Sequence, residues 1–412
     1  MRRVFLNLAW RNVWRNKRRS IITIAAIAFA ILMAAITRSM QYGSYHVMES
    51  IAVSLYNGDL QIHRKGFQEN HTLSYSLDSN EQNWQSFIEK DPRLTGFARR
   101  LTGFGLVGSD SASAGALIVG IEPERELRLT QFANMVRYGE KLNNDDDHRV
   151  LIGTTLAKNL QLHIGDSLVV LTQGYHNQLG ADRYFVKGLV SVGQTDLDRS
   201  LMIMPLKNAQ DLFSLYDGIT EVVFRTEDFR KATMLSKELA KELDGGKYEV
   251  LSWKQMMPEL EQIIIVDNVS GAIYLAFILI VVGIEIFNAV MMNVLERTRE
   301  FGVIQAIGMK PNQISGLLFL EFLFKITLAL IIGWIISFAT IAFLTHYTIP
   351  LPADLREAYA TYGFVIENLE FSDGPRVFLE PLISIAVIGM IAFVFPFMKA
   401  SKLSPVDAFR KI

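Results

Sequence analysis

Residues 283–321 read GIEIFNAVMMNVLERTREFGVIQAIGMKPNQISGLLFLE, and the way this run folds decides the architecture. An apolar segment long enough to cross a bilayer ends abruptly at Glu296, Arg297, Thr298, Arg299 and Glu300. Beyond it, Phe301, Val303, Ile304, Ala306 and Ile307 recur among polar positions as in an amphipathic turn or two of helix. Gly308 and Pro311-Asn312 then reset the chain, and a second long apolar helix begins. Two membrane spans are thus joined by a short, charged, helical elbow at the membrane surface. A solvated cap that keeps the helix from sliding into lipid accounts for the charges alone. The amphipathic continuation and the glycine stop need another reason. A helix presenting Phe301, Ile304 and Ile307 on one side suits a groove in a soluble partner, with Arg297, Arg299 and Glu300 fixing its register.

The chain has 412 residues, half of them apolar, with 20% charged residues and a formal net charge of −1. Its mean hydropathy is positive. That is too apolar for an ordinary soluble protein and too charged for a chain wholly inside lipid, so the averages conceal a partition between membrane helices and a water-facing domain. Near-neutral charge argues against a nucleic-acid binder, which carries a basic face. With no cysteine, neither a disulfide framework nor a thiolate metal site is possible.

Residues 1–19 hold Arg2, Arg3, Arg11, Arg15, Lys17, Arg18 and Arg19 and no acid, with Leu6, Trp10, Val13 and Trp14 at helical spacing. This reads as an interfacial amphipathic helix on the cytoplasmic side, followed by a first span over 20–42. A cleaved signal peptide shares the basic start and apolar middle, but no clean cleavage site precedes a polar segment. From 43 to 262 the composition is that of a folded α+β domain outside the cytoplasm. Strand-like runs fall at Asp59–Arg64, Ala116–Ile121, Arg149–Ile152, Leu168–Thr172, Arg183–Val192, Leu201–Met204, Glu221–Arg225 and Tyr248–Trp253. Helical patterns lie around Glu81–Glu89, Thr154–Leu160, Leu206–Tyr216 and Asp228–Leu243. Gly174–Asp182 reads as a hairpin tip, a plain turn or a hook for a partner formed by Tyr175, His176, Asn177, Gln178 and Leu179. A second span over 263–295, the elbow over 296–311, a third span over 312–345, an acidic loop over 346–378, a fourth span over 379–398 and a basic tail over 399–412 complete the chain. Positive charge at the N-terminus, elbow and tail (Lys399, Lys402, Arg410, Lys411) places both ends in the cytoplasm.

Glu285 sits halfway along the second span, where a lone carboxylate is costly and faces other helices or water. Lys325 is its nearest plausible partner. Glu321 and Lys325 lie one turn apart in the favourable acid-first order and can neutralise each other. Asn288, one turn from Glu285, suits an interhelical hydrogen bond. One isolated acid is too little for a proton relay. The seven histidines form no HxxxH or HxH cluster, and neither G-x-S-x-G nor G-x-x-x-x-G-K-[ST] occurs, so no catalytic or metal site is expected. Any energy source must be another polypeptide.

ERTREFGVIQAIGMKPNQI followed by LLFLE resembles the coupling-helix segment of FtsX-like ABC transporter permeases of the MacB and LolC/LolE types. LAWRNVWRNKRRS, VLIGTTLAKNLQLHIGDSLVVL, FVKGLVSVGQTDLDRSLMIMPLKNAQDLF and PFMKASKLSPVDAFR are similar to that family's N-terminal segment, extracytoplasmic core and C-terminal tail. The resemblance implies a four-span permease with a MacB-like periplasmic domain between spans one and two, working as an identical or paralogous dimer in the bacterial inner membrane. It implies two separate ATPase subunits holding ATP and Mg, with Glu296 to Gly308, Gly302 and Ala306 included, docked in the ATPase groove. Hydrolysis would then be converted into periplasmic motion. The lipoprotein-releasing branch is most similar, with a periplasmic carrier downstream. Efflux of peptides or drugs through an adaptor, and regulation of a cell-wall hydrolase, are the alternatives.

Overall fold

The computed structural model describes residues 2–131, 134–193, 195–361 and 366–401; Lys402, Arg410 and Lys411 of the basic tail lie outside them. The chain forms two compact units. One is helical and draws on the residues up to Tyr45, on Ile264–Pro350 and on those from Asn368 onward. The other is built on His46–Ile263 with Leu351–Glu367.

In the helical unit an N-terminal helix (Arg2–Arg15) is followed by the first-span helix (Lys17–Ala52). The second-span helix (Pro258–Glu296), the elbow helix (Thr298–Ala306), the third-span helix (Pro311–His346) and the fourth-span helix (Pro375–Ser401) follow in order. Four of these are long and apolar enough to cross a membrane. Phe277, Val281, Ile284, Ile335, Phe338, Ile383 and Ile391 are all exposed on them, a surface that only lipid makes favourable. Ile24, Ile27, Ile31, Val282, Ile286, Phe322, Ile326, Ile385 and Phe393 fill the centre, where the rings of Phe322 and Phe393 stack at 4.6 Å. Lipid supplies no hydrophobic drive between helices, so close backbone approach must do so. At Gly333 a Cβ would stand 3.0 Å from Ile31 Cβ and 3.2 Å from Ala28 Cα, which is how the third helix seats against the first.

The first helix runs past residue 42 to Ala52, and the second begins at Pro258 rather than 263. Hydropathy marks where a helix leaves lipid, but propagation costs little per added residue and continues until something stops it.

The second unit carries a ten-stranded sheet among the described residues. Its strands are β1 (Leu60–Arg64), β2 (Leu94–Gly108), β3 (Ser113–Ile121), β4 (Val136–Gly139), β5 (Arg149–Gly153), β6 (Ser167–Gln173), β7 (Leu179–Val190), β8 (Leu201–Pro205), β9 (Glu221–Thr226) and β10 (Tyr248–Ser252). The order is β10-β1-β9-β2-β3-β8-β5-β7-β4, with β6 pairing both β2 and β7. Only β3 with β8 and β5 with β7 run parallel. β6 alternates strictly between exposed and buried positions, whereas every residue of β8 is buried, as its continuous apolar run LMIMP requires.

All eight strand-like runs read from the sequence are strands. β2, the longest, was not among them. Gly96, Gly103, Gly105 and Gly108 break its alternation and imitate turns, yet the sheet uses them. A Cβ at Gly105 would meet Ile118 Cδ1 at 2.8 Å and the Leu171 carbonyl oxygen at 3.0 Å, because β3 and β6 both flank this strand. β2 also carries Arg100, fully buried with Glu126. Arg100 Nε and Nη2 donate to the Glu126 carboxylate at 2.9 and 2.6 Å, and Nη1 donates to the Tyr56 carbonyl at 2.7 Å. The helices Leu206–Leu212 and Thr154–Leu160 cover the sheet through Ala209, Leu212, Leu156 and Leu160.

Candidate functional site

The elbow helix is built by its ends. Arg297 departs from helical geometry, with φ −97° and ψ 9°, and separates it from the second span. At its other end Gly308 has a φ of +111°. The Gly308 N–H donates to the Gln305 carbonyl at 2.9 Å and the Met309 N–H to the Ile304 carbonyl at 3.2 Å. This pair of bonds satisfies the last carbonyls and needs a residue free to adopt left-handed backbone, hence glycine. Pro311 then opens the third span at its first helical position, while Gln313 Oε1 accepts from the Lys310 N–H at 2.9 Å.

The side chains divide inward and outward. Arg297 is 8% exposed and Phe301 1%. Arg297 Nη1 donates to both oxygens of Glu321 on the third span, at 2.9 and 3.0 Å, and its Nε donates to Glu300 at 3.0 Å. Its guanidinium also lies 5.0 Å above the centre of the Phe301 ring. Glu321, 2% exposed, accepts from Asn12 Nδ2 at 2.6 Å and from Asn293 Nδ2 at 3.4 Å. Arg15 holds Glu300 at 2.8 Å, and Arg19 holds Glu296 in a two-pronged pair. Burial works against the Glu300 charge, but the hydrogen bonds from Arg15 and Arg297 outweigh it and keep this carboxyl below its ordinary range. Trp10 stacks edge-on against Phe324 at 5.5 Å. The N-terminal helix, elbow and third span are thus tied together by charge and ring contacts.

Two expectations are corrected here. Phe301 and Ile307 do not share a face. Phe301 fills the bundle centre beside Val294, Ile314 and Leu318, whereas Ile307 is 82% exposed, because periodicity shows that a helix has an apolar side without showing whose core it joins. Arg297 likewise belongs to the interior and not to a presented surface. What faces outward is Arg299, Val303 and Ile307, one turn apart in succession, with Ala306 and Gly308 beside them. Arg299 has no hydrogen bond or ion pair to the described residues. Thr298 bonds back to the Val294 carbonyl, Gly302 is buried and Ile304 half-buried.

Glu321 takes its ion pair from Arg297 across the hairpin, and Lys325, near enough to feel the Glu321 charge, makes no direct ion pair with it. Nor does Lys325 serve Glu285. Lys325 lines a small cavity with Glu321, Arg19 and Asn293. Glu285 instead borders an apolar cleft of about 660 Å³ between the first and second spans, walled by Ala26, Phe29, Met33, Tyr274, Phe277 and Ile278. Asn288 is exposed and has no hydrogen bond among the described residues. One end of this cleft is tied by Tyr45, whose hydroxyl donates to Asp267 at 2.6 Å, and by Gln41, which donates to the Asp267 carbonyl at 2.8 Å. The sequence reading missed these polar ties, because Gln41, Tyr45 and Asp267 look like ordinary interfacial residues.

In the sheet unit the hairpin tip joins β6 to β7. His176 and Asn177 both sit in left-handed backbone, φ +59° and +61°, a conformation uncommon for residues other than glycine. The Gly174 N–H bonds the Gln178 carbonyl at 2.7 Å, and the Tyr175 N–H bonds the Phe213 carbonyl at 2.7 Å. The Tyr175 and His176 rings touch at 4.2 Å over a groove of about 550 Å³ floored by His71–Ser74, Gly103 and Phe104. Leu179 projects, 80% exposed.

Residues 20–242 match the MacB-like periplasmic core domain, and residues 272–405 match the FtsX-like permease C-terminal domain. The chain is 24% identical over 342 residues to the lipoprotein-releasing system transmembrane protein LolC of Xylella fastidiosa, across 79% of this chain and 81% of that one. It is 23% identical over 422 residues to the macrolide export ATP-binding/permease protein MacB of Campylobacter jejuni, across 98% of this chain and 61% of that one. Among solved structures, the periplasmic region of MacB from Actinobacillus actinomycetemcomitans aligns with a TM-score of 0.35 at 15% identity, covering 52% of this chain and 98% of that one. With both segments matched in the order this architecture requires, the chain belongs to the FtsX-like, MacB-type family of ABC transporter permeases.

Proposed function

We propose that this chain is the transmembrane subunit through which a separate ATPase drives motion of the sheet domain on the far side of a bacterial inner membrane. Both its ends would face the cytoplasm, and its work would be the outward release of a lipid-anchored protein. The outer face of the elbow carries this reading. Val303 and Ile307 form an exposed apolar stripe with Arg299, unpaired among the described residues, at one end, on a helix whose opposite face is already bonded to its own bundle. Such a face leaves apolar surface in water unless a partner covers it. The second-span helix (Pro258–Glu296) ends at the elbow, so displacement there is passed to that span directly along the backbone.

The apolar cleft between the first and second spans supports an amphiphilic substrate. It offers acyl-chain surface with one carboxylate, Glu285, able to accept a hydrogen bond from a headgroup or peptide N–H. LolC of Xylella fastidiosa is named for lipoprotein release, which favours that substrate over the efflux in which the MacB relative is named. The strained, exposed hairpin tip is where a downstream carrier would dock. A second permease subunit, identical or paralogous, completes the assembly.

The test replaces Arg299 by Glu and Ile307 by Asp in the full chain co-expressed with its ATPase. Loss of ATPase co-purification, with the permease still folded, is the expected result. Undiminished co-purification would remove the basis of the proposal. Proteoliposomes given a triacylated lipopeptide or a macrolide then separate release from efflux by which one raises hydrolysis.

A further inference from the structure

We infer that Glu321 is the positioning residue that makes the elbow, the third span and the N-terminal helix move as one block when nucleotide binds the partner. The inference rests on the coupling role proposed above and names the joint through which it would act. Glu321 receives four hydrogen bonds from three side chains, on three separate elements besides its own. Arg297, at the head of the elbow, supplies two bonds to the two carboxylate oxygens; Asn12 of the N-terminal helix and Asn293 of the second span supply one each. All of this lies in a nearly water-free pocket, since Glu321 and Arg297 are 2% and 8% exposed, where charged hydrogen bonds are at their strongest. A pull on the outer face of the elbow therefore cannot swing Arg297 away without taking from the buried Glu321 carboxylate its charged hydrogen-bond donor. The other ion pairs are peripheral: Arg15 with Glu300 and Arg19 with Glu296 are half-exposed, and water and salt replace them readily. Among the described residues, Glu321 alone bonds all three partner elements at once.

The chain has no cysteine, so labels can be placed without removing native thiols. Leu6 and Leu295 are exposed, on the N-terminal helix and just before the elbow. Spin labels at Leu6→Cys and Leu295→Cys, in the full complex with its ATPase, would be measured without nucleotide and after trapping with ATP and vanadate. In the otherwise unaltered chain the distance stays the same in both states. In Glu321→Gln it becomes nucleotide-dependent, shifting by about 2 Å or more, the scale on which packed helices slide. Glu321→Asp, which keeps the charge, restores most of the fixed distance. A distance that changes with nucleotide before any substitution at Glu321, or one unaffected by Glu321→Gln in a complex that still hydrolyses ATP, overturns the inference. Should Glu321→Gln fail to fold, Asn12→Ala replaces it and is judged by the same two criteria. If the ATPase does not associate with the unsubstituted chain at all, the coupling proposal falls first and this inference with it.

Discussion

Replacing Arg297 by Met tests whether the elbow is anchored from inside. At 2.9 Å and an effective dielectric of about 20, the attraction between Arg297 and Glu321 is about 6 kcal/mol before the cost of desolvating both charges. Most of that gain is consumed by desolvation, so the pair contributes little net stability, yet each half depends on the other. Without Arg297, Glu321 keeps hydrogen bonds only from the neutral amides of Asn12 and Asn293, at 2.6 and 3.4 Å, with Lys325 nearby but not bonded to it, and the loss should reach about 3 kcal/mol. Without Glu321, Arg297 still has Glu300 at 3.0 Å, so Glu321→Met should cost less, about 1–3 kcal/mol. The double variant should lie within about 1 kcal/mol of the native chain, because two apolar side chains replace a desolvated pair. Reversible unfolding in mixed micelles, followed by circular dichroism, supplies the double-mutant cycle. Additive losses below about 1 kcal/mol each would mean that water reaches the pair, and the account of an inwardly anchored elbow would be wrong.

Two further outcomes concern the sheet unit. Glu126→Gln removes the carboxylate that takes two of the hydrogen bonds of the fully buried Arg100, while the buried Glu221 still offsets part of its charge; the loss should be about 1–3 kcal/mol, read as a drop in the thermal transition of that unit in the full chain. His63 is buried, and burial, helped by the His71 charge, pushes its imidazole down to about 3. The Gln61 amide donates to the Asn57 carbonyl and turns its oxygen toward His63 Nε2, which must then carry the proton. Because the folded value lies below the unfolded one, the stability it contributes is present above pH 6.5 and lost as pH falls. Between pH 6.5 and 5 the native chain should lose about 2 kcal/mol relative to His63→Gln; parallel unfolding curves for the two chains over that interval would contradict the assignment.

The four spans and the elbow were legible in the sequence because lipid admits little else than continuous apolar helix, and both ends of the elbow carry residues with one local meaning: Gly308 as a left-handed stop and Pro311 as a start. A strand such as β6 was legible because one face is buried and the other exposed, so its residues alternate. β2 was not, since its glycines are demanded by neighbours on other elements, from Ile118 on the adjacent strand to Leu171 and Phe213 far along the chain, and local pattern carries no trace of them. Glu321 was read as the partner of Lys325 because four residues of separation is visible along one helix. Its actual partner lies 24 residues upstream, across a turn whose register only the folded hairpin fixes.

That substitution of partners changes how the elbow can work. A helix held only by its two flanking spans would transmit a pull through backbone, and a rotation about its own axis would be lost. With Arg297 locked to Glu321 and Phe301 buried in one apolar cluster with Val294 and Ile314, rotation is resisted as well, so under the proposed coupling role torque applied at Arg299 and Ile307 would reach the third span and the N-terminal helix together. The charges that look, in sequence, like one surface therefore have two duties set by a single turn of helix: Arg297 fixes the lever to the bundle, and Arg299, one hundred degrees of helix per residue further round, is left for whatever moves it.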